Sequence, residues 1–188
     1  MRVIAGKLRG RPLRAPRGLT TRPTSDRARE AIFNILGNLS GMSVLDVYAG
    51  TGALGIEALS RGAERAVFVE SDAGALRALR DNLTRLGIAG QATVIDTTIE
   101  RAGPRIQKHA PFDLVIADAP WRIAQEAAER VAQQSRGLLA SDARVLLGHP
   151  TESPVELPDG SGLALVQRRK WGGSGMSFYE IANNIDSI

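Results

Sequence analysis

Apolar positions along this chain follow two different spacings. Short apolar runs at 44–47, 66–69, 92–95, 112–117 and 144–148 each predict a buried strand. Between them lie longer stretches, 53–61, 73–86, 99–108 and 123–135, in which apolar residues recur every third or fourth position and predict helices. Leu76, Leu79, Leu83 and Leu86 fall on one face of the second stretch, Gly62 closes the first, and Gly103-Pro104 is expected to interrupt the third. Two further strands, 163–168 and 177–181, follow one another with no helix between them. Successive strand–helix units predict an α/β fold whose seven-stranded, mostly parallel sheet is covered by helices and closed by an antiparallel edge.

A different pattern precedes these units. Residues 3–5 and 8–13 predict a small hairpin turning at Gly6-Lys7. A helix then starts at a Thr24 or Ser25 N-cap, carries Ala28, Ala31, Ile32, Ile35, Leu36 and Leu39 at helical spacing, and ends at Gly41. The expected organisation is a hairpin-and-helix extension over 1–40 and a main domain over 41–188, with no internal repeat or low-complexity tract.

Composition narrows the class. With 188 residues and 43% apolar content, the chain suits one sizeable core and is too short for two ordinary domains and a linker. No run approaches the roughly 18 apolar residues of a membrane span, and no apolar segment follows the charged N-terminus, so a cytoplasmic protein without a secretory signal is expected. The absence of Cys removes disulfides, thiolate catalysis and Cys-ligated metals, and two His are too few for a His-rich zinc site. The net charge of +4 hides an asymmetry: residues 1–30 carry nine Lys/Arg against Asp26 and Glu30. A basic arm on a mildly acidic body points to a polyanionic partner, the plainer alternative being a solvated charge run.

The densest chemical signal is Asp46-Val47-Tyr48-Ala49-Gly50-Thr51-Gly52-Ala53-Leu54-Gly55. Gly50, Gly52 and Gly55 spell G-x-G-x-x-G between a predicted strand and helix, where one Gly supplies the turn and the next admits a ligand to the backbone. Glu70 ends the following strand, where an acid can accept ribose hydroxyls. A dinucleotide and S-adenosylmethionine both fit such a loop, and Asp46 separates them. A carboxylate there would repel a pyrophosphate but attract a sulfonium and an ammonium. The competing reading of Asp46 is a simple turn cap.

A second constellation, Asp118-Ala119-Pro120-Trp121, follows the strand at 112–117. Alone it reads as an ordinary turn. Asp46, Glu70 and Asp118 nevertheless all fall at C-terminal strand ends, where doubly wound sheets bind ligands. An exocyclic amine on a purine is a poor nucleophile because its lone pair is delocalised. Two acceptors, the Asp118 carboxylate and the Ala119 carbonyl, favour a pyramidal nitrogen aimed at the methyl group, and Trp121 offers a stacking face to a flipped base. The sulfonium leaves as a neutral thioether, so no metal is required.

Together these residues resemble the RsmD family, bacterial S-adenosylmethionine-dependent enzymes that methylate N2 of one guanine in small-subunit (16S) ribosomal RNA. The resemblance is carried by Arg2-Val3-Ile4-Ala5-Gly6, Arg9-Gly10-Arg11, Arg22-Pro23-Thr24-Ser25-Asp26-Arg27-Ala28-Arg29-Glu30, the glycine loop, and Glu57-Ala58-Leu59-Ser60-Arg61. It implies a Rossmann-like class I methyltransferase fold and a substrate presented in an assembled or assembling small subunit. By this resemblance Asp118, Ala119, Pro120 and Trp121 are catalytic. Asp46, Tyr48, Gly50, Thr51, Gly52, Ala53, Gly55, Glu70 and Ser71 hold the donor. Asp96 and Thr97 lie on its adenine side, with Thr98 an alternative. Lys7, Arg9, Arg11, Arg22, Arg27, Arg29 and Lys170 meet RNA, and a metal-free monomer is expected. The segment Arg168–Ser174 resembles the family's basic-aromatic-Gly stretch, which reads equally as an RNA contact or a β-turn.

The family's usual motif is Asp-Pro-Pro followed by Phe or Tyr. Ala119 lacks one ring, but preceding Pro120 it is still held extended and keeps its carbonyl, so activity is expected to survive. Other readings are a methyltransferase for adenine N6 or a glutamine amide, a non-catalytic RNA-binding relic, and, more remotely, an NAD-dependent oxidoreductase. The last lacks a His or Tyr–Lys proton-transfer set.

Overall fold

The computed structural model describes residues 1–15, 25–135 and 137–182. Among these, seven strands form one sheet in the order β3-β2-β1-β4-β5-β7-β6. The strands are β1 (Ser43–Val47), β2 (Arg65–Glu70), β3 (Ala92–Asp96), β4 (Phe112–Ala117), β5 (Leu139–Pro150), β6 (Leu163–Trp171) and β7 (Ser174–Ile181). The first five are parallel, while β7 runs antiparallel between β5 and β6. The helices are α1 (Asp26–Leu36), α2 (Ala53–Ser60), α3 (Ala73–Leu86), α4 (Ile99–Gln107) and α5 (Ala124–Ser135).

Strand pleating sorts the core into two layers. Val44, Phe68, Ile116 and Leu146 pack with Ile32 and Phe33 of α1, Ile56 of α2 and Leu79 of α3. Leu45, Val67, Val115 and Val145, one residue out of phase, pack with Ile106 of α4 and Val131 of α5. Val3 and Leu13 belong to the first layer, so the N-terminal arm shares the apolar core of β1 and α2.

The structure revises several expected boundaries. Ser25 is the α1 N-cap, its hydroxyl accepting from the Ala28 amide at 3.1 Å, while Thr24 lies outside the described residues. The helix stops at Gly37, whose φ of +70° a side chain would strain, rather than at Gly41. Leu39 is buried beyond the helix end. Helix α4 continues through Gly103-Pro104, because Ile99, Ala102 and Ile106 bury one stripe on either side of the proline. The expected N-terminal hairpin reduces to one antiparallel bridge, Arg2 with Pro12, closed by a 3-10 turn at Gly6–Leu8. The bridge is framed by the Val3 amide donating to the Arg11 carbonyl at 3.0 Å and the Leu13 amide donating to the Met1 carbonyl at 3.0 Å. Strand β5 is longer than its apolar run because partners on both sides, β4 and β7, extend it. No helix of the described residues is long and apolar enough to cross a membrane.

Candidate active site

The sheet places three acids on one face. Asp46 of β1 is in register with Phe68 of β2 and Ile116 of β4, both in the layer covered by α1, α2 and α3. Glu70 and Asp118 each lie two residues further along their strands, so they share that face and stand about 6–7 Å above Asp46. They flank it from the two neighbouring strands, about 10 Å apart. Asp46 is thus the floor of an acidic notch, with Glu70 and Asp118 on its rim.

Asp46 is buried, and its Oδ2 accepts the Gly55 amide at 2.8 Å. Burial pushes its carboxyl up to about 7; the Gly55 hydrogen bond opposes this, and the charges of Asp118 and Glu70 reinforce it. The turn-cap reading therefore holds for one oxygen of this side chain. Glu70 also serves the loop: Oε2 accepts Gly50 N–H at 2.7 Å, and Oε1 accepts the amides of Ser71 and Asp72 at 2.7 Å. A carboxylate has about four lone-pair sites, so roughly one remains.

The glycines divide their roles differently from the sequence expectation. Gly50, at φ +57°, has open space where a Cβ would be, whereas a Cβ on Gly52 would meet Leu79 Cδ1 at 2.4 Å. The first glycine therefore leaves the approach open, and the second lets the loop settle onto α3. Gly55 allows α2 to press on β2, since a Cβ would reach Phe68 Cε1 at 2.3 Å. Tyr48 has φ +58° without being glycine, and its buried hydroxyl has no hydrogen-bond partner among the described residues. Burial holds this phenol above its usual range. Backbone strain of this kind concentrates at functional loops. Thr51 and Ala53 are half-buried within the loop, and Ser71 is exposed beside it.

Of the residues expected to border the adenine, Asp96 lies opposite Glu70 in the β2–β3 register. Its carboxylate is exposed and bonded by Arg80 at 2.9 Å and Arg105 at 3.4 Å, which hold it below the usual carboxylate range. Thr97 follows, half-buried, and Thr98 is the N-cap residue of α4.

Asp118 leaves β4 and passes over Gly148 of β5, where an added Cβ would come 2.2 Å from its Oδ1. Ala119 is buried, while Pro120 opens a 3-10 turn at Trp121–Ile123. Trp121 is 45% exposed, unusual for so large an apolar side chain. Its Cη2 lies 3.4 Å from the Cβ position of Gly173, in the turn joining β6 and β7. Fold formation thus brings the late Gly-rich turn, which follows Lys170, beside the Asp-x-Pro-Trp motif. Gly148 was legible only as an unexplained glycine in an apolar strand, a mark of close approach.

Comparison with known proteins decides the family. The family described as Conserved hypothetical protein 95 matches residues 1–180. The putative rRNA methyltransferase YlbH of Bacillus subtilis is 36% identical over 183 residues, 96% of this chain and 98% of that protein. Ribosomal RNA small subunit methyltransferase D of Escherichia coli is 37% identical over 159 residues, 83% of this chain and 76% of its own. The chain belongs to the RsmD family. A solved structure, described as the putative methyltransferase yhhF of E. coli, superposes with a TM-score of 0.78 at 33% identity, covering 96% of this chain and 97% of its own. An RNA methyltransferase from Salinibacter ruber, solved with S-adenosyl-L-homocysteine, shares the fold at TM-score 0.63 and 18% identity, covering 85% of this chain and 94% of its own. The architecture is the S-adenosylmethionine-dependent methyltransferase fold.

The RsmD-type arm contributes most of the basic candidates. Lys7, Arg9, Arg11 and Arg27 are exposed, as is Lys170 on β6. Lys7 donates to Gln91 Oε1 at 2.9 Å and Arg11 to the Arg85 carbonyl at 3.1 Å. Arg22 lies outside the described residues. Arg29 departs from the expectation. It is fully buried, donates to Asp26 Oδ1 at 2.9 Å and to the Arg2 carbonyl, and lies 3.8 Å from Glu57 Oε2. A guanidinium sealed from solvent has no phosphate within reach, so its position is structural.

Glu57, also fully buried, accepts the amides of Ile4 at 2.8 Å and Ala5 at 3.0 Å, as well as Arg61 Nε at 2.8 Å. Ser60 accepts the Leu8 amide at 3.0 Å. These contacts seat the arm on α2, the helix that leaves the glycine loop. The signal that could have found Glu57 is an acid inside the otherwise apolar helix ALGIEALS.

Proposed function

We propose that this protein transfers a methyl group from S-adenosylmethionine to the exocyclic N2 of one guanine in small-subunit ribosomal RNA, within the assembled or assembling subunit. The observation that carries this reading is the placement of Asp118-Ala119-Pro120-Trp121 on the rim it shares with Glu70, above Asp46 on the floor of the same notch. Relatives named as a putative rRNA methyltransferase and as a ribosomal RNA small subunit methyltransferase support the substrate class.

The residues suit the donor. Asp46 is a buried carboxylate with a raised pKa, an environment a neighbouring cation would relieve. Gly50 leaves its Cα approach open, and Glu70 keeps about one acceptor site for a ribose hydroxyl, with its backbone bonds available for exchange. Asp96 and Thr97 would border the adenine, and Tyr48, Thr51, Gly52, Ala53, Gly55 and Ser71 shape the remaining wall. When bound, S-adenosylmethionine supplies an electrophilic methyl group.

The rest is done by the chain. Asp118 and the Ala119 carbonyl each accept one N–H of the amine, and Trp121 stacks on the extruded base. Beside Trp121 a groove of about 400 Å³, lined by Gln125, Glu126, Pro150 and Ser153, gives adjoining nucleotides room. The positive charge that develops on nitrogen acidifies it, so the proton departs without a strong base. Residues 1–40 act as the RNA-gripping extension and 41–188 as the catalytic domain of a cytoplasmic monomer.

The direct test is transfer of a labelled methyl group to small subunits from a strain lacking the activity, followed by nucleoside identification. Labelled N2-methylguanosine is expected. Labelled N6-methyladenosine, or transfer to protein only, would overturn the guanine assignment. Reversing Arg9 and Arg11 to Glu should weaken subunit binding and flatten its dependence on salt, because fewer counterions are then released. S-adenosylhomocysteine affinity should stay unchanged. An unaltered salt slope would remove these two residues from the interface.

A further inference from the structure

Asn82 sits on the inner face of α3, 1% exposed. Its carboxamide joins two segments distant in sequence. Oδ1 accepts the Arg14 amide at 2.8 Å, and Nδ2 donates to the Arg14 carbonyl at 3.0 Å. The same Nδ2 donates to the Thr51 carbonyl at 3.1 Å. One side chain therefore pairs with both backbone groups of an arm residue and with the middle residue of Gly50-Thr51-Gly52. The amide of the adjacent Gly50 is held by Glu70, so the carboxamide bond and the Glu70 bond constrain the loop from opposite ends of one peptide pair.

The arm is attached at its other end as well. Glu57 and Ser60 bind Ile4, Ala5 and Leu8 on α2, whose N-cap is Gly52. Residues 2–14 are thus anchored at both ends to elements that begin at the glycine loop or brace it. Displacing the arm near Arg14 would strip two hydrogen bonds from a buried amide that water cannot reach, and would loosen its hold on Thr51. Displacing Thr51 would disturb the arm in the same way. Two segments that share one buried partner are physically joined, which is the contact a coupling between their sites would need.

We propose that Asn82 is a positioning residue that couples the arm to the donor loop, so that donor-site occupancy tightens the arm's grip on RNA. By linkage, RNA held by the arm tightens donor binding by the same factor. The proposal rests on the reading that the loop holds S-adenosylmethionine and the arm meets ribosomal RNA. It adds that the two sites are not independent and names the atom pairs that connect them.

The test is a binding cycle on the full-length protein with two probes, S-adenosylhomocysteine and unmethylated small ribosomal subunits. Each affinity is measured with and without the other ligand. In the wild type each probe should tighten the other about tenfold. Asn82→Asp keeps the shape and an acceptor for the Arg14 amide but loses both donated bonds. It should retain binding of each probe alone while the coupling factor falls to about one. A purely structural role would weaken both affinities and leave their ratio unchanged.

Arg14→Ala and Arg14→Pro probe the same link from the arm, outside the core. The alanine variant keeps the backbone N–H that Asn82 Oδ1 accepts and should keep the coupling; the proline variant lacks it and should lose the coupling. Unchanged coupling in Asn82→Asp and Arg14→Pro, or a wild-type factor of one with both probes bound, overturns the proposal alone. Failure of the wild type to bind either probe overturns the functional reading beneath it.

Discussion

Asp118→Ala should lower single-turnover methyl transfer by on the order of 10²–10³-fold while S-adenosylhomocysteine still binds. The expectation follows from what the carboxylate does. In the proposed mechanism it accepts an N–H of the target amine and faces the positive charge that nitrogen acquires, an interaction stronger in the transition state than in the ground state. Its loss should appear in the rate of the chemical step and not in donor affinity. Position matters as much as charge, and Gly148→Ala separates the two. The added Cβ would lie 2.2 Å from Asp118 Oδ1, so the carboxylate must move while keeping its charge. The rate should fall in this variant too, with the folded state retained. Rapid-quench measurement with labelled donor and unmethylated small subunits checks both variants. Wild-type turnover in Asp118→Ala would sink the proposed role of this residue.

The second large effect concerns Asp46 and pH. Its carboxyl is raised from 3.8 to about 7, chiefly by burial. Between those values the folded protein keeps a proton that the unfolded chain releases. The associated stability is therefore complete below about pH 4, declines as pH rises toward 7, and is gone above it. The difference amounts to on the order of 4 kcal/mol. Asp46→Asn retains an oxygen for the Gly55 amide but never bears the buried charge, so its melting temperature at pH 8 should exceed that of the wild type.

Donor binding should respond in the opposite sense. The ionised carboxylate is the form that attracts a sulfonium and an ammonium, so wild-type donor affinity should rise as pH increases from 5.5 through about 7. In Asp46→Asn the affinity should be lower by on the order of 10²-fold and nearly flat across that range. Calorimetry with S-adenosylmethionine, together with thermal melts at each pH, measures both signs. A wild-type affinity independent of pH, or a variant that binds as tightly as wild type, would separate Asp46 from the donor.

Chain order alone made much of this site legible. Glu70 and Asp118 each close a short apolar run, Asp46 interrupts one a residue before its end, and strand ends in a doubly wound sheet line one crevice. The RPTSDRARE block and the glycine loop marked the family, because turn glycines and strand-end acids depend on local backbone needs. Arg29 was misplaced for the same reason: an arginine in a basic arm looks solvated until the packing of α1 on the arm seals it. Pro104 was read as a break because a local rule opposed it, whereas burial of Ile99, Ala102 and Ile106 decided the outcome.

Local periodicity, capping and turn chemistry thus determined the α/β alternation, the acids at the strand ends and the class of donor they suit. Tertiary structure alone decided which separated residues meet. It set Asp118 over Gly148, Trp121 beside Gly173, Glu57 beneath the amides of Ile4 and Ala5, and Asn82 between Arg14 and Thr51. These pairings depend on strand order and helix seating, which close contacts between residues tens of positions apart. No spacing rule along the chain encodes them.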